Sequence, residues 1–182
     1  MTTLLKLLIC ICFASSLQAQ PTQISADEEI SMSEANASTK DGTYRYYKNG
    51  ENNGFTGILY TKYDNGNYLT RQEYKSGLGE GTWINYWPNG NLKEVGTYQK
   101  NKVEGPIKKY NQNGNLIAKG HYIDWRIRVG LWSYYDDDGN LVKTEDYGSE
   151  GDFRDVEDYY DRGEISTYRY NQLKDDFLNQ KS

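Results

Sequence analysis

Few side chains in the sequence are of the types that carry out catalytic or metal chemistry. His121 is the sole histidine, and the two cysteines, Cys10 and Cys12, fall within the first 19 residues. A zinc site needs several nitrogen or sulfur ligands, and a general base usually needs an orienting partner and a cleft. We therefore interpret His121 as a half-exposed strand residue, and expect neither a disulfide nor a thiolate site after residue 19.

A run of acidic residues invites comparison with a calcium-binding loop. The run is Asp136-Asp137-Asp138-Gly139, and Glu145 follows the glycine by six residues. If Gly139 stood at loop position six, position one would be Tyr134, where an aspartate is required. The same residues suit a solvated hairpin turn, so we expect no metal there.

A second acidic group, near the C-terminus, could supply the paired carboxylates of a glycosidase. Acids on an open sheet lack the desolvated pocket that would separate their pKa values. A charged rim that keeps the protein soluble is the simpler interpretation, so we expect no enzymatic activity and no cofactor. The members of this group are Asp152, Asp155, Glu157, Asp158 and Asp161.

Aromatic side chains carry the main functional signal. The chain has 18 tyrosines and four tryptophans, and Trp and Tyr dominate the hot spots of binding interfaces. Packing between strands explains the larger share, while the excess could form a contact surface. Trp125 departs from the surrounding pattern, and its flanking arginines could grip an acidic or planar partner. The candidate binding residues are Trp83, Tyr86, Trp87, Tyr110, Trp125, Arg126, Arg128, Trp132 and Tyr135.

A repeat of about 24 residues positions these side chains, and such a period is typical of repeat architectures. The repeated turn carries a glycine, and a second glycine stands nine residues before most of these turns. A tyrosine follows the turn glycine by eight residues, as at Tyr98, and another precedes it by four, as at Tyr86. The turn glycines are Gly66, Gly90, Gly114, Gly139 and Gly163, and the second set is Gly57, Gly81, Gly105 and Gly130.

Each unit is predicted to be a β-hairpin. Pairs such as Asn89-Gly90 and Asp138-Gly139 are strong hairpin signals because both residue types tolerate the positive φ of tight turns. The second glycine set is expected to form the return turn to the next hairpin. A lone hairpin is marginally stable, so stability must come from contacts between units. Gly96 and Gly120, in the middle of strands, are expected to lie beneath neighbouring rings.

The segment Gly81-Thr-Trp-Ile-Asn-Tyr-Trp-Pro-Asn-Gly-Asn-Leu92 resembles the MORN (membrane occupation and recognition nexus) repeat. It is more closely similar to the variant found in YwqK-family antitoxin-like proteins. The resemblance covers residues 42–170. It implies an elongated, curved, single-layer sheet used for protein contacts, sometimes near membranes, and, in the antitoxin-like group, neutralisation of a partner toxin by binding.

The first 19 residues are interpreted as a bacterial signal peptide, with Lys6, an apolar run too short to span a bilayer, and cleavage near Ala19. Residues 20–41 are predicted to be a flexible linker, and residues 42–170 the repeat array. Tyr170 and Leu173 begin a helical pattern, so residues 171–182 are expected to form a helix that caps the last sheet edge.

Charge narrows the choice of partner. Removal of one lysine with the leader leaves 20 basic residues against 26 acidic ones, a net charge of −6. Nucleic acid and anionic lipid would repel such a surface, so we expect no nucleic acid, no integral membrane segment, and no charge-driven attachment to a membrane surface. Another protein is the expected partner.

These observations predict an all-β fold, an elongated single-layer antiparallel meander of repeated β-hairpins with a short C-terminal capping helix. The predicted function is that of a secreted or periplasmic, non-catalytic module that binds or scaffolds another protein. An antitoxin or immunity-type inhibitor of a toxin is the alternative, and a carbohydrate-binding surface protein is a weaker one.

Overall fold

The structure, a computed structural model, describes residues 28–40, 42–124, 126–149, 151–163 and 165–180. The predicted signal peptide and Trp125 lie outside the described residues. A single turn of 3-10 helix at Met32–Glu34 and two α-helices, α1 (Arg154–Asp161) and α2 (Thr167–Gln180), accompany twelve strands. The strands are β1 (Glu29–Ser31), β2 (Ala35–Lys40), β3 (Thr43–Lys48), β4 (Gly57–Lys62), β5 (Tyr68–Lys75), β6 (Leu78–Tyr86), β7 (Leu92–Gln99), β8 (Lys102–Val103), β9 (Gly105–Tyr110), β10 (Leu116–Ile123), β11 (Ile127–Tyr135) and β12 (Leu141–Asp146).

One sheet of ten strands forms the body of the protein. Its order is β1, β4, β5, β6, β7, β9, β10, β11, β12, and β8 also pairs with β7. All neighbours run antiparallel except β1 and β4, which are parallel. β2 and β3 form a separate two-stranded sheet. The predicted antiparallel meander of hairpins is confirmed.

The hairpins turn through five-residue tips of one recurring geometry. In the tip between β6 and β7, the Trp87 N–H donates to the Asn91 carbonyl at 2.8 Å, and the Gly90 N–H donates to the Trp87 carbonyl at 2.8 Å. Gly90 takes a φ of +88°, whereas Asn89 has no positive φ. The expectation that asparagine shares the positive φ is therefore wrong for this turn. The tips span residues 63–67, 87–91, 111–115 and 136–140.

The return turns do not lie at the glycines predicted for them. Gly81 lies in β6 opposite Tyr98, and Gly105 lies in β9 opposite Tyr122. A β-carbon on either glycine would collide with a side chain of the facing strand, so close approach requires these glycines. The chain reverses a few residues earlier, where Lys100 has a φ of +49°. The same relationship joins Gly57 to Tyr74 and Gly130 to Tyr147.

The predicted linker over residues 20–41 is wrong for the part that the structure describes. β1 lies beside β4, with Ile30 opposite Leu59, and the Ile30 side chain is buried. Ser31 and Glu34 form a capping box at the following 3-10 turn, in which each side chain accepts a hydrogen bond from the backbone N–H of the other residue. A three-residue strand is too short to show a periodic pattern, so composition alone suggested a linker.

The repeat array ends at β12, earlier than the predicted boundary at residue 170. Helix α1 occupies the place of a further strand, and Gly163 follows this helix, its N–H donating to the Tyr160 carbonyl at 2.9 Å. Its assignment as a hairpin glycine is therefore wrong. The predicted C-terminal helix is confirmed, but it begins at Thr167 rather than at residue 171.

The two helices pack around the turn between β10 and β11. Val156 of α1 and Leu173 of α2 are buried against Ile127. Most side chains of β12 remain exposed. The expectation that a helix covers the last sheet edge is therefore wrong.

Candidate interaction surface

One face of the sheet, here called the aromatic face, carries Trp83, Tyr98, Tyr122 and Trp132. Trp83 and Trp132 are each 1% exposed. The space above Gly96 is filled by the indole of Trp83, 2.8 Å from where a β-carbon would lie, and Trp132 fills the space above Gly120 in the same way. The prediction that these glycines lie beneath rings is confirmed. Both tryptophans belong to the core.

Charged side chains lie over the rings of the aromatic face. Glu94, 6% exposed, pairs with Lys109 at 3.6 Å and with Arg126 at 3.4 Å. The guanidinium of Arg126 lies 4.9 Å from the centre of the Trp83 ring. Burial raises the pKa of Tyr122 above its ordinary value. The predicted binding residue Arg126 thus has partners within the chain.

Arg128 joins the repeat array to helix α1. Asp155, 4% exposed, accepts hydrogen bonds from the Arg128 backbone N–H at 2.8 Å and from its Nε at 3.0 Å. The same guanidinium donates to the hydroxyls of Tyr134 and Tyr147. The hydrogen bond with Asp155 raises the pKa of Arg128. The charged-rim interpretation is therefore wrong for Asp155, which forms a buried ion pair.

Asparagine amides at the hairpin tips form a ladder between successive units. The side-chain amides of Asn65 and Asn67 donate to the Pro88 carbonyl of the next tip at 2.7 and 2.8 Å. Asn89 and Asn91 repeat this with the Gln112 carbonyl at 2.7 and 2.9 Å, and Asn115 donates to Asp137 at 2.6 Å. We call these bonds the tip ladder. The sequence analysis assigned the asparagines a conformational role and missed this bonding role.

The opposite face, here called the open face, carries a shallow groove of about 590 Å³ across β6, β7, β9, β10 and β11. Val95, Pro106 and Leu131 line it, and Leu131 is 61% exposed. The exposed side chains of Lys108 and Lys119 also line it. Thr82, Pro106 and Leu131 each follow a glycine of the second set, and this shared position is the signal that the sequence analysis overlooked.

The predicted binding residues are divided between the two faces. Alternation along the strands places Tyr86, Tyr110 and Tyr135 on the open face, each opposite the apolar residue that follows its turn. Trp83 and Trp132 lie on the other face. Trp87, at a tip, donates from its indole nitrogen to the Tyr110 carbonyl at 3.0 Å. The structure therefore brings only the three tyrosines near the groove's face.

The residues considered for chemistry occupy ordinary structural positions. His121 is an exposed residue of β10 that borders the groove. Asp136 lies in the last tip, as the hairpin-turn interpretation predicted, and hydrogen bonds from Asn140 lower its pKa. Within the described ranges, no three His, Cys, Asp or Glu side chains are grouped to hold a metal ion.

No helix in the described part of the chain has the length and apolar character needed to cross a membrane.

The fold defines a β-hairpin repeat protein, in which each unit buries its rings against the next. The family described as MORN repeat variant matches three segments, residues 79–100, 103–124 and 128–147. Residues 79–147 are therefore an array of MORN repeat variants. The finer resemblance to YwqK-family proteins stays a prediction.

Comparison with curated proteins finds no match. Among solved structures, one titled "Crystal Structure of TarM" is similar at 12% identity and a TM-score of 0.30. The alignment covers 61% of this chain and 19% of that one. At this TM-score the likeness informs neither the fold nor the function of this chain.

Proposed function

We propose that this chain is an exported, non-catalytic scaffold that binds another protein through the groove of its open face. The groove supports this proposal because it combines exposed apolar side chains with flanking cations. Leu131 supplies apolar surface, and Lys108 and Lys119 supply positive charge. An apolar segment that carries acidic residues is the complementary partner.

The array suits such a role because its shape is fixed before a partner arrives. The tip ladder sets the spacing between units, and the buried tryptophans fix the strands of the other face. A preorganised surface loses less conformational entropy on binding. Exposed loops are not needed to form the groove, since strand residues line it.

The absence of catalysis is part of the proposal. The best-buried carboxylates, Glu94 and Asp155, already take part in ion pairs with Arg126 and Arg128. A catalytic acid or base needs a proton-transfer partner in a cleft, and these groups face cations of their own chain. Export rests on the leader pattern of residues 1–19.

Affinity capture from the native cell envelope, read by mass spectrometry, tests the proposal. The wild type is compared with Leu131→Asp and with Leu178→Asp, a control at a leucine of α2 that is 56% exposed. We expect one protein to be retained by the wild type and by the control and lost from Leu131→Asp. Equal retention by all three would contradict binding through the groove.

The nature of the captured protein separates the two protein-binding functions. A small enzyme that the purified chain inhibits would identify an immunity-type inhibitor, whereas a partner with no inhibited activity fits a scaffold. Retention on cell-wall polysaccharide, lost in Trp87→Ala, would instead indicate carbohydrate binding and overturn the proposal.

A further inference from the structure

The last strand leaves one edge of the main sheet unpaired. β12 has six residues and pairs with β11 on one side, at the end of the strand order. Leu141 and Val142 are 57% and 62% exposed. The strand contains no proline or bulge-forming glycine. Such an edge presents free N–H and C=O groups to another strand.

The opposite end of the sheet is different. Its edge strand, β1, has three residues and is followed directly by a 3-10 turn. Very short edge strands are one of the ways in which proteins block edge-to-edge pairing. The sheet is therefore asymmetric, with one long free edge at β12.

The backbone groups that face outward from β12 follow from one hydrogen bond. The Tyr147 N–H donates to the Gly130 carbonyl of the preceding hairpin strand at 3.0 Å, so the polar groups of Tyr147 point toward β11. Backbone groups alternate along an antiparallel strand, and the register from Lys143 to Asp146 is regular. Val142, Thr144 and Asp146 therefore point their N–H and C=O groups away from the sheet.

Charge selects the strand that fits this edge. Lys143 and Glu145 lie on one face of β12, with Nζ and Oε2 2.7 Å apart. When two copies of β12 run antiparallel about a centre at Thr144, Lys143 of each lies opposite Glu145 of the other. A centre at Lys143 or at Glu145 would place like charges opposite each other, which is destabilising.

We propose that the β12 edge binds the β12 edge of a second copy of this chain, antiparallel and centred on Thr144. Thr144 pairs with Thr144, and Val142 pairs with Asp146 on both sides of the centre. These three outward-facing pairs exchange about six hydrogen bonds. The arrangement has two-fold symmetry and uses the same edge on both copies, so assembly stops at a dimer.

Sedimentation velocity over a range of protein concentrations measures the association. We expect a monomer–dimer equilibrium for the wild type. Lys143→Glu places two acidic side chains opposite each other at both symmetric positions, and should weaken the dimer about tenfold. The swapped variant Lys143→Glu with Glu145→Lys restores both opposite-charge pairs and should recover the wild-type affinity. Circular dichroism checks that each variant is folded.

A disulfide test reads the register directly. In a background with Cys10 and Cys12 replaced by serine, Thr144→Cys places two thiols directly opposite each other, within the span of a disulfide. Val142→Cys is the control, because its partner position is Asp146. We expect an oxidised dimer for Thr144→Cys and not for Val142→Cys.

Three results would overturn the proposal. They are a wild type that stays monomeric up to its solubility limit, a dimer that the charge reversal leaves unchanged, and efficient cross-linking through Val142→Cys. A strand from a different protein on this edge would appear as the first of these results.

Discussion

The indole of Trp132 occupies the space in which a β-carbon of Gly120 would lie. Trp83 stands in the same relation to Gly96, one repeat earlier. Both indoles also donate to a backbone carbonyl of the strand that carries the glycine, Trp83 to Thr97 at 3.3 Å and Trp132 to His121 at 3.2 Å. This pairing of ring and glycine is how consecutive units bury their largest side chains.

Gly120→Val should lower the free energy of unfolding by about 1–3 kcal/mol, because the inserted methyl groups force Trp132 from its position. Urea unfolding followed by tryptophan fluorescence measures the change. Lys119→Val is the matched control, since Lys119 is an exposed neighbour on the other face and should change stability by less than about 0.5 kcal/mol. Similar losses for both variants would contradict the packing described.

Asp155→Ala should destabilise the protein by about 2–3 kcal/mol. The variant leaves the Arg128 guanidinium without its carboxylate in a largely desolvated site, and the partial exposure of Arg128 keeps the cost below that of a fully buried pair. Thermal unfolding provides the measurement. Arg154→Met is the control, because its pair with Asp152 is exposed and surface pairs contribute about 0–1 kcal/mol.

Asn91→Asp should lower the free energy of unfolding by about 0.5–1.5 kcal/mol. The change removes the amide that donates to the Gln112 carbonyl and preserves the shape of the side chain. Gln112→Ala is the control, since its backbone carbonyl remains in place. Chemical denaturation gives the difference in stability, and faster amide hydrogen exchange at the 87–91 tip would locate it.

The buried tyrosines should make the protein unstable at alkaline pH. Burial raises the pKa of Tyr159 to about 12, and burial also raises the pKa of Tyr122 and Tyr74. A raised tyrosine pKa means that the stabilisation is complete below the unfolded value near 10. It is lost as pH rises from there through the folded value.

Tyr122→Phe tests this dependence. Above pH 10, one tyrosine that stays protonated only in the folded state contributes a loss of about 1.4 kcal/mol per pH unit. The variant should therefore show a shallower fall of unfolding free energy between pH 10 and 12 than the wild type. Tyr168→Phe, at a tyrosine of α2 that is 74% exposed, provides the comparison. Identical slopes for the wild type and Tyr122→Phe would rule out this account.

The 24-residue period was sufficient to predict the hairpins, because the turn glycines and the tyrosines repeat with the strands. The strand glycines Gly96 and Gly120 were also predictable, since a glycine within an aromatic strand implies a close neighbour. The glycines of the second set were misplaced. Glycine was taken as the turn residue, whereas Lys100 and Asn101 take positive φ in one return turn.

Local patterns misled the prediction at the two ends of the array. Gly163 and Tyr159 continue the repeat spacing in sequence, yet tertiary contacts of Val156 with Ile127 favour a helix there. The charged groups of the surface network could not be predicted, because Arg128 and Asp155 are 27 residues apart in the chain. The groove is likewise formed by side chains from several strands.

The tip ladder determines how an array of this kind can change in length. Each inner tip donates amides to the tip that follows and offers a carbonyl to the tip that precedes it. A duplicated copy of the 24 residues 81–104 would therefore bring its own donors and acceptors and leave both neighbours satisfied. The unit that carries Arg128 lacks this freedom, because it anchors α1 through Asp155. Lengthening of the protein is thus confined to its interior units, while its final hairpin is fixed in place as a terminus.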